Sequence, residues 1–188
     1  MIDTHCHLCD KRFDKDREQV LDRAFEAGVT HLIEIAFSPA IVPRAHALAS
    51  RHPNLFLCLG VHPSEAAKVP DDYLATLRDH AGHARVVAIG ETGLDFYRDH
   101  APRPDQERWF RAQLGLADAM GLPVVIHQRS ALEGRDPPPG KPARAPGPET
   151  RDPEARGDRG QQDGGGEEEG GRGGGHVRLL LRHSGRGA

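Results

Sequence analysis

Aromatic side chains are scarce in this chain: one Trp, two Tyr and six Phe among 188 residues. That leaves no run of stacking platforms of the kind single-strand nucleic-acid binders use. Cysteine is scarcer still. Cys6, Cys9 and Cys58 make no paired framework, and Cys6-x-x-Cys9 has no second pair to complete a zinc site. Free thiols in a reducing compartment are expected. No apolar stretch approaches the length of a membrane span, and the first residues carry Asp3 and two histidines in place of a basic leader. A cytoplasmic chain without membrane association is the expectation, and nothing points to a protein partner. Neither sign of charge dominates: 25 Lys and Arg stand against 28 Asp and Glu, a net of −3. A broad basic field for nucleic acid is thereby excluded, so any grip on phosphate has to come from local arginines or from metal.

What the chain does contain is unevenly spread. Residues 1–132 have the composition of a globular domain. Between Glu133 and Gly175 there are 13 Gly, 7 Pro and 17 charged residues, and the only apolar side chains are Ala143, Ala145 and Ala155. A segment so poor in apolar surface cannot offset its ordering entropy, so 133–188 is expected to be a disordered tail. It carries ten basic and ten acidic residues, which gives it no net attraction for nucleic acid.

The first part alternates between two periods. Residues 1–7, His31–Ala36, Leu55–Val61, Val86–Gly90 and Pro123–His127 read as strands. Helices are expected over Arg17–Ala27, Ile41–Arg51, Asp71–Ala81 and Asp105–Met120, with Gly28 and Gly121 as stops. On the last of these helices Phe110, Leu114 and Ala117 form one apolar stripe. Five strands separated by four helices mean βαβ units and a parallel sheet, hence an α/β fold.

In such sheets function gathers at the C-terminal strand ends. Strand one ends in His5 and His7, strand three in Gly60-Val61-His62-Pro63, strand four in Gly90-Glu91-Thr92-Gly93-Leu94-Asp95, and strand five in His127. Residues i and i+2 of a strand share a face, so His5 and His7 aim at one point while Cys6 turns away. Imidazole and carboxylate ligands suit zinc, manganese or magnesium. A carboxylate has two oxygens. Glu91 can therefore bridge one ion held by His5 and His7 to a second held by His127, and paired ions of this kind clamp a phosphoester and activate a water. The remaining histidines, His31, His46, His52, His80, His83 and His100, fall away from the strand ends and read as packing or surface residues.

Four blocks carry a resemblance: Asp3-Thr4-His5-Cys6-His7-Leu8, Gly60-Val61-His62-Pro63, Ile89-Gly90-Glu91-Thr92-Gly93-Leu94-Asp95-Phe96-Tyr97 and Leu122-Pro123-Val124-Val125-Ile126-His127. In this order they resemble the TatD family of metal-dependent deoxyribonucleases, over residues 1 to about 130. The resemblance implies a TIM-type (β/α) barrel, two divalent cations (Mg2+, Mn2+ or Zn2+) and hydrolysis of DNA phosphodiesters, often as a 3′–5′ exonuclease. It implies that His5 and His7 bind the first metal, Glu91 bridges as the catalytic carboxylate, and His127 binds the second. His62 would face the substrate, or simply hold the loop before Pro63. Asp95 and Arg98 are further substrate-side candidates, and Arg98 could equally be a solvated surface arginine.

The chain also departs from that pattern. A TIM-type barrel needs eight strands and about 250 residues, and only five strands can be read. The family's later histidine block and its late aspartate have no counterpart, and no strand surrounds His176 or His183. The expectation is an incomplete barrel with impaired activity. The shift near Ala131 further suggests that the tail is an out-of-frame reading of a G+C-rich gene, which translation of the neighbouring frames decides. Two other readings compete. A metal-dependent amidohydrolase also begins with H-x-H, but it usually places a lysine at the strand-four end, and no lysine occurs from residue 69 to 140. A non-catalytic metal-binding remnant would bind one ion or none.

Overall fold

The computed structural model describes residues 1–98 and 100–131, together with the backbone of 176–180. Five strands, β1 (Ile2–Cys6), β2 (His31–Ala36), β3 (Leu55–Leu59), β4 (Val86–Asp95) and β5 (Val124–Arg129), alternate with four helices, α1 (Arg17–Glu26), α2 (Val42–Arg51), α3 (Tyr73–Ala81) and α4 (Arg103–Met120). The strands lie in sequence order and each pairs parallel with the next. The result is a half-barrel, the first part of a TIM-type architecture.

The apolar pattern explains the layering. Leu55, Leu57 and Leu59 alternate along β3 and are fully buried with Leu21 of α1, Leu48 of α2 and Leu116 of α4 in the layer between sheet and helices. The opposite parity supplies an inner layer of Ile35, Cys58, Ala88 and Val125, one residue from each of four adjacent strands. Among the described residues no helix is long and apolar enough to cross a membrane.

Three expectations need correction. First, α4 does not bury the stripe of Phe110 and Leu114; Leu114 is 38% exposed, and the buried face is Gln106, Trp109, Gln113, Leu116 and Ala117. The two glutamines are buried because each amide finds backbone partners on the strand ends it faces. Second, β4 does not stop at Gly90 but runs on to Asp95, its second half pairing with Ile126–Arg129 of β5 after a register shift between Ile89 and Thr92. Third, a sixth strand, β6 (His176–Leu180), pairs antiparallel with β5, with His176 opposite Gln128. An open strand edge presents unpaired N–H and C=O groups that another extended segment satisfies, and this segment carries Val177, Leu179 and Leu180. The rest of 133–175 and of 181–188, and with it the expected tail, lies outside the described residues.

Candidate metal centre

The site begins where β1 ends. His5 is on the strand and His7 just past it, on the same side. The turn that follows is held by Glu34 of β2, whose buried carboxylate accepts the backbone N–H groups of Leu8 (2.6 Å) and Cys9 (3.0 Å). Burial pushes the Glu34 carboxyl above its ordinary value, and those two N–H groups work against the shift. The imidazoles behind this turn converge: His5 Nε2 and His7 Nε2 are 3.2 Å apart. Two nitrogens bound at ~2.0–2.1 Å to one tetrahedral ion lie about 3.3 Å from each other. The spacing therefore fits a shared cation.

Glu91 enters from β4 between two glycines in the positive-φ region, Gly90 (φ +145°) and Gly93 (φ +140°). A side chain at Gly93 would run into the His127 carbonyl oxygen, so glycine there lets β4 and β5 approach. Glu91 is nearly buried, and its two oxygens face opposite ways. Oε2 lies 3.5 Å from His5 Nε2, and Oε1 lies 3.0 Å from His127 Nδ1. Glu91 thus belongs to two groups of converging ligand atoms, one with His5 and His7 and one with His62 and His127.

His127 is gripped on both sides, since its Nε2 also lies 3.2 Å from Asp95 Oδ2. Burial alone would lower its pKa, but the hydrogen bonds to Asp95 and Glu91 outweigh it and raise the ring to about 9. The same contacts overcome the effect of burial on the carboxylates: Asp95 is held down to about 2 and Glu91 below its ordinary value. In this arrangement a protonated imidazole supplies the positive charge that two buried carboxylates require. The first group behaves differently. His5 is lowered, chiefly by burial, with Glu91 opposing.

His62 follows β3 and caps the short 3-10 turn Pro63–Glu65. Its Nδ1 accepts the Ser64 N–H at 3.1 Å. Burial lowers its pKa to about 4, against the pull of Glu91, so the ring is neutral at pH 7. With Nδ1 used as an acceptor, the neutral ring carries its proton on Nε2. His62 thus holds the loop before Pro63, and it also lines the cavity of the site.

His5, His7, His62, Glu91, Asp95, Arg98 and His127 all line one cavity of about 490 Å³. Arg98 is exposed at its margin. Asp95 is nearly buried; besides orienting His127 it accepts the N–H groups of Tyr97 and Arg98 through Oδ1. Lys68 and Arg129, to which sequence reasoning gave no role, and His100, which it read as a packing or surface residue, line the same cavity. Arg129 had a legible signal, because it stands two residues past His127 and so shares its strand face.

Comparison with known proteins places this geometry in context. The family model for TatD related DNase matches residues 2–135. The metal-dependent hydrolase YabD of Bacillus subtilis is 35% identical over 133 residues, covering 71% of this chain and 52% of that protein. The 3′-5′ ssDNA/RNA exonuclease TatD of Cronobacter sakazakii is 40% identical over 131 residues, covering 70% and 50%. Among solved structures, the TatD homolog YJJV of Escherichia coli superposes with a TM-score of 0.62 at 38% identity, over 67% of this chain and 49% of that one. A TatD family hydrolase from Entamoeba histolytica gives 0.64 at 26% identity, over 69% and 50%. The chain spans about half the length of the curated relatives it matches.

Proposed function

The chain belongs to the TatD related DNase family, and from that premise we propose that its strand-end cluster holds two divalent cations, Mg2+, Mn2+ or Zn2+, and hydrolyses phosphodiester bonds of DNA. The observation that carries this reading is the sharing of Glu91 between two converging ligand groups. Bound there, such ions polarise a phosphoester and bring the pKa of a coordinated water down toward neutrality.

The residues divide the work. His5, His7 and Glu91 would hold the first cation. Glu91 and His127 would hold the second, with Asp95 keeping the His127 ring in place, as outer carboxylates do for metal-binding histidines. His62 is better suited to donate than to ligate, because its Nδ1 is already occupied by Ser64 N–H. Its Nε2–H would hydrogen-bond a phosphate oxygen. Arg98 at the margin would meet the next stretch of the strand. Relatives named as 3′-5′ ssDNA/RNA exonucleases favour a single-stranded substrate entered from its 3′ end, with RNA as the companion substrate. Residues 1–132 are proposed as the catalytic domain. Cys6, Cys9 and Cys58 are free thiols, which suits the cytoplasm.

Among the described residues the first group offers three donors and the second only Glu91, His127 and the otherwise engaged His62. Activity well below that of a full-length family member follows. Equilibrium dialysis of the whole chain against Mn2+ or Zn2+, followed by cleavage of an end-labelled oligonucleotide, tests the reading. Two ions bound by the wild type and a loss of both in Glu91→Gln are expected. Uptake of one ion or none by the wild type, or two ions retained by Glu91→Gln, would sink it.

A further inference from the structure

Arg129 ends β5 and turns into the same cavity as His127. Its guanidinium carbon lies 4.2 Å from the centre of the Tyr97 ring, stacked on the aromatic face. Its Nε is buried and has no hydrogen-bond partner, and no ion pair to Arg129 occurs among the described residues. The platform beneath it is fixed at both ends. Asp95 Oδ1 accepts the Tyr97 N–H at 3.1 Å, and the Arg129 carbonyl accepts the Phe96 N–H at 3.0 Å. The nearest acidic group in the strand register, Asp95, is committed to His127. The other cations of the cavity are placed differently. Lys68 is paired with Glu65 at 3.1 Å, and Arg98 is exposed to solvent.

A buried N–H donor left without an acceptor is costly, and a guanidinium held over a ring has lost part of its freedom before any ligand arrives. Such a group is preorganised for a planar, two-pronged acceptor. Among the described residues no carboxylate is paired with it, and the cavity it faces also contains the candidate cation ligands. We infer that Arg129, stacked on Tyr97, forms a phosphate subsite that grips a phosphodiester group of a nucleic-acid strand next to the one being cleaved. This rests on the nuclease reading and adds to it: Arg129 is the residue that sets the position of the strand, Tyr97 positions Arg129, and neither holds a cation. The planar guanidinium fork matches two phosphate oxygens, which a lysine cannot reproduce.

The test uses the whole chain with Mn2+ and a fluorescent single-stranded phosphorothioate oligonucleotide, followed by anisotropy across a salt series. Arg129→Gln should weaken binding about tenfold or more, as loss of a charge-assisted fork does, and should make the slope of log K against log salt shallower by about 0.7, the value for one phosphate contact on a single strand. Arg129→Lys should keep the slope yet recover only part of the affinity. Tyr97→Phe should bind as the wild type does, and Tyr97→Ala should bind as weakly as Arg129→Gln. Mn2+ stoichiometry, measured on the same samples, should be unchanged in all four and certifies that the site has folded. Unaltered affinity and slope in Arg129→Gln with normal Mn2+ uptake would overturn the subsite and leave the nuclease reading standing. Full recovery of affinity in Arg129→Lys would also overturn it, since a point charge would then suffice. A wild type that binds Mn2+ but no oligonucleotide would overturn the nuclease reading, and the subsite with it.

Discussion

Replacing Gln113 should do severe damage on the buried face of α4. Its side chain is fully buried and tied to two strand ends at once. Oε1 accepts the Val61 N–H at 2.8 Å; Nε2 donates to the Val61 carbonyl at 3.1 Å and to Thr92 Oγ1 at 2.7 Å. Val61 precedes His62, and Thr92 follows Glu91. One amide therefore sets the separation of two site residues. In Gln113→Ala the Val61 N–H and C=O lose their partner in a place water does not reach. Each buried group left unsatisfied costs about 1–3 kcal/mol, and the emptied volume adds roughly 1 kcal/mol. The sum is about 3–7 kcal/mol, a large share of the roughly 5–15 kcal/mol that holds a domain together. Gln113→Met keeps the volume and still orphans Val61, so it should cost about 2–6 kcal/mol by the same count of lost bonds. Urea unfolding followed by fluorescence of Trp109, the single tryptophan, measures both. A cost below about 1 kcal/mol for Gln113→Ala, or a Met variant as stable as the wild type, would refute the reasoning on buried hydrogen bonds. Mn2+ affinity should fall in the Met variant as well, since Val61 and Thr92 are no longer tied together.

Two further outcomes follow from the same geometry. Gly93→Ala should fail to pair β4 with β5, because the new Cβ meets the His127 carbonyl oxygen and the backbone sits at φ +140°; circular dichroism that shows a normally folded chain would contradict this. In the metal-free chain His127 keeps its proton up to about pH 9 against an ordinary 6.5. The stabilisation it gives is complete below the ordinary value and is lost as pH rises through 9. With chelator present, the stability gap between wild type and His127→Gln should be widest near about pH 6 and should close by about pH 10. A gap that grows with pH would overturn the assignment.

Much of this protein can be read along the chain, because strand and helix periods are local. The alternation of β1 to β5 with four helices, the shared face of His5 and His7, and the assignment of Glu91 to β4 and His127 to β5 all come from spacing alone. So does the change of composition after residue 132. Tertiary structure decided what spacing cannot show. It ran β4 on to Asp95, because pairing with β5 supplies hydrogen bonds that no propensity for Gly-Glu-Thr-Gly predicts. It turned α4 so that Gln106 and Gln113 lie inside, since a buried amide is tolerated only where distant backbone partners happen to meet it. It gave Asp95 to His127 and placed Arg129 on Tyr97. It also laid His176–Leu180 against the open edge of β5, where unpaired backbone groups accept a strand that the surrounding sequence does not announce. Periodicity reports which way a residue points, and only the folded chain reports what it then meets.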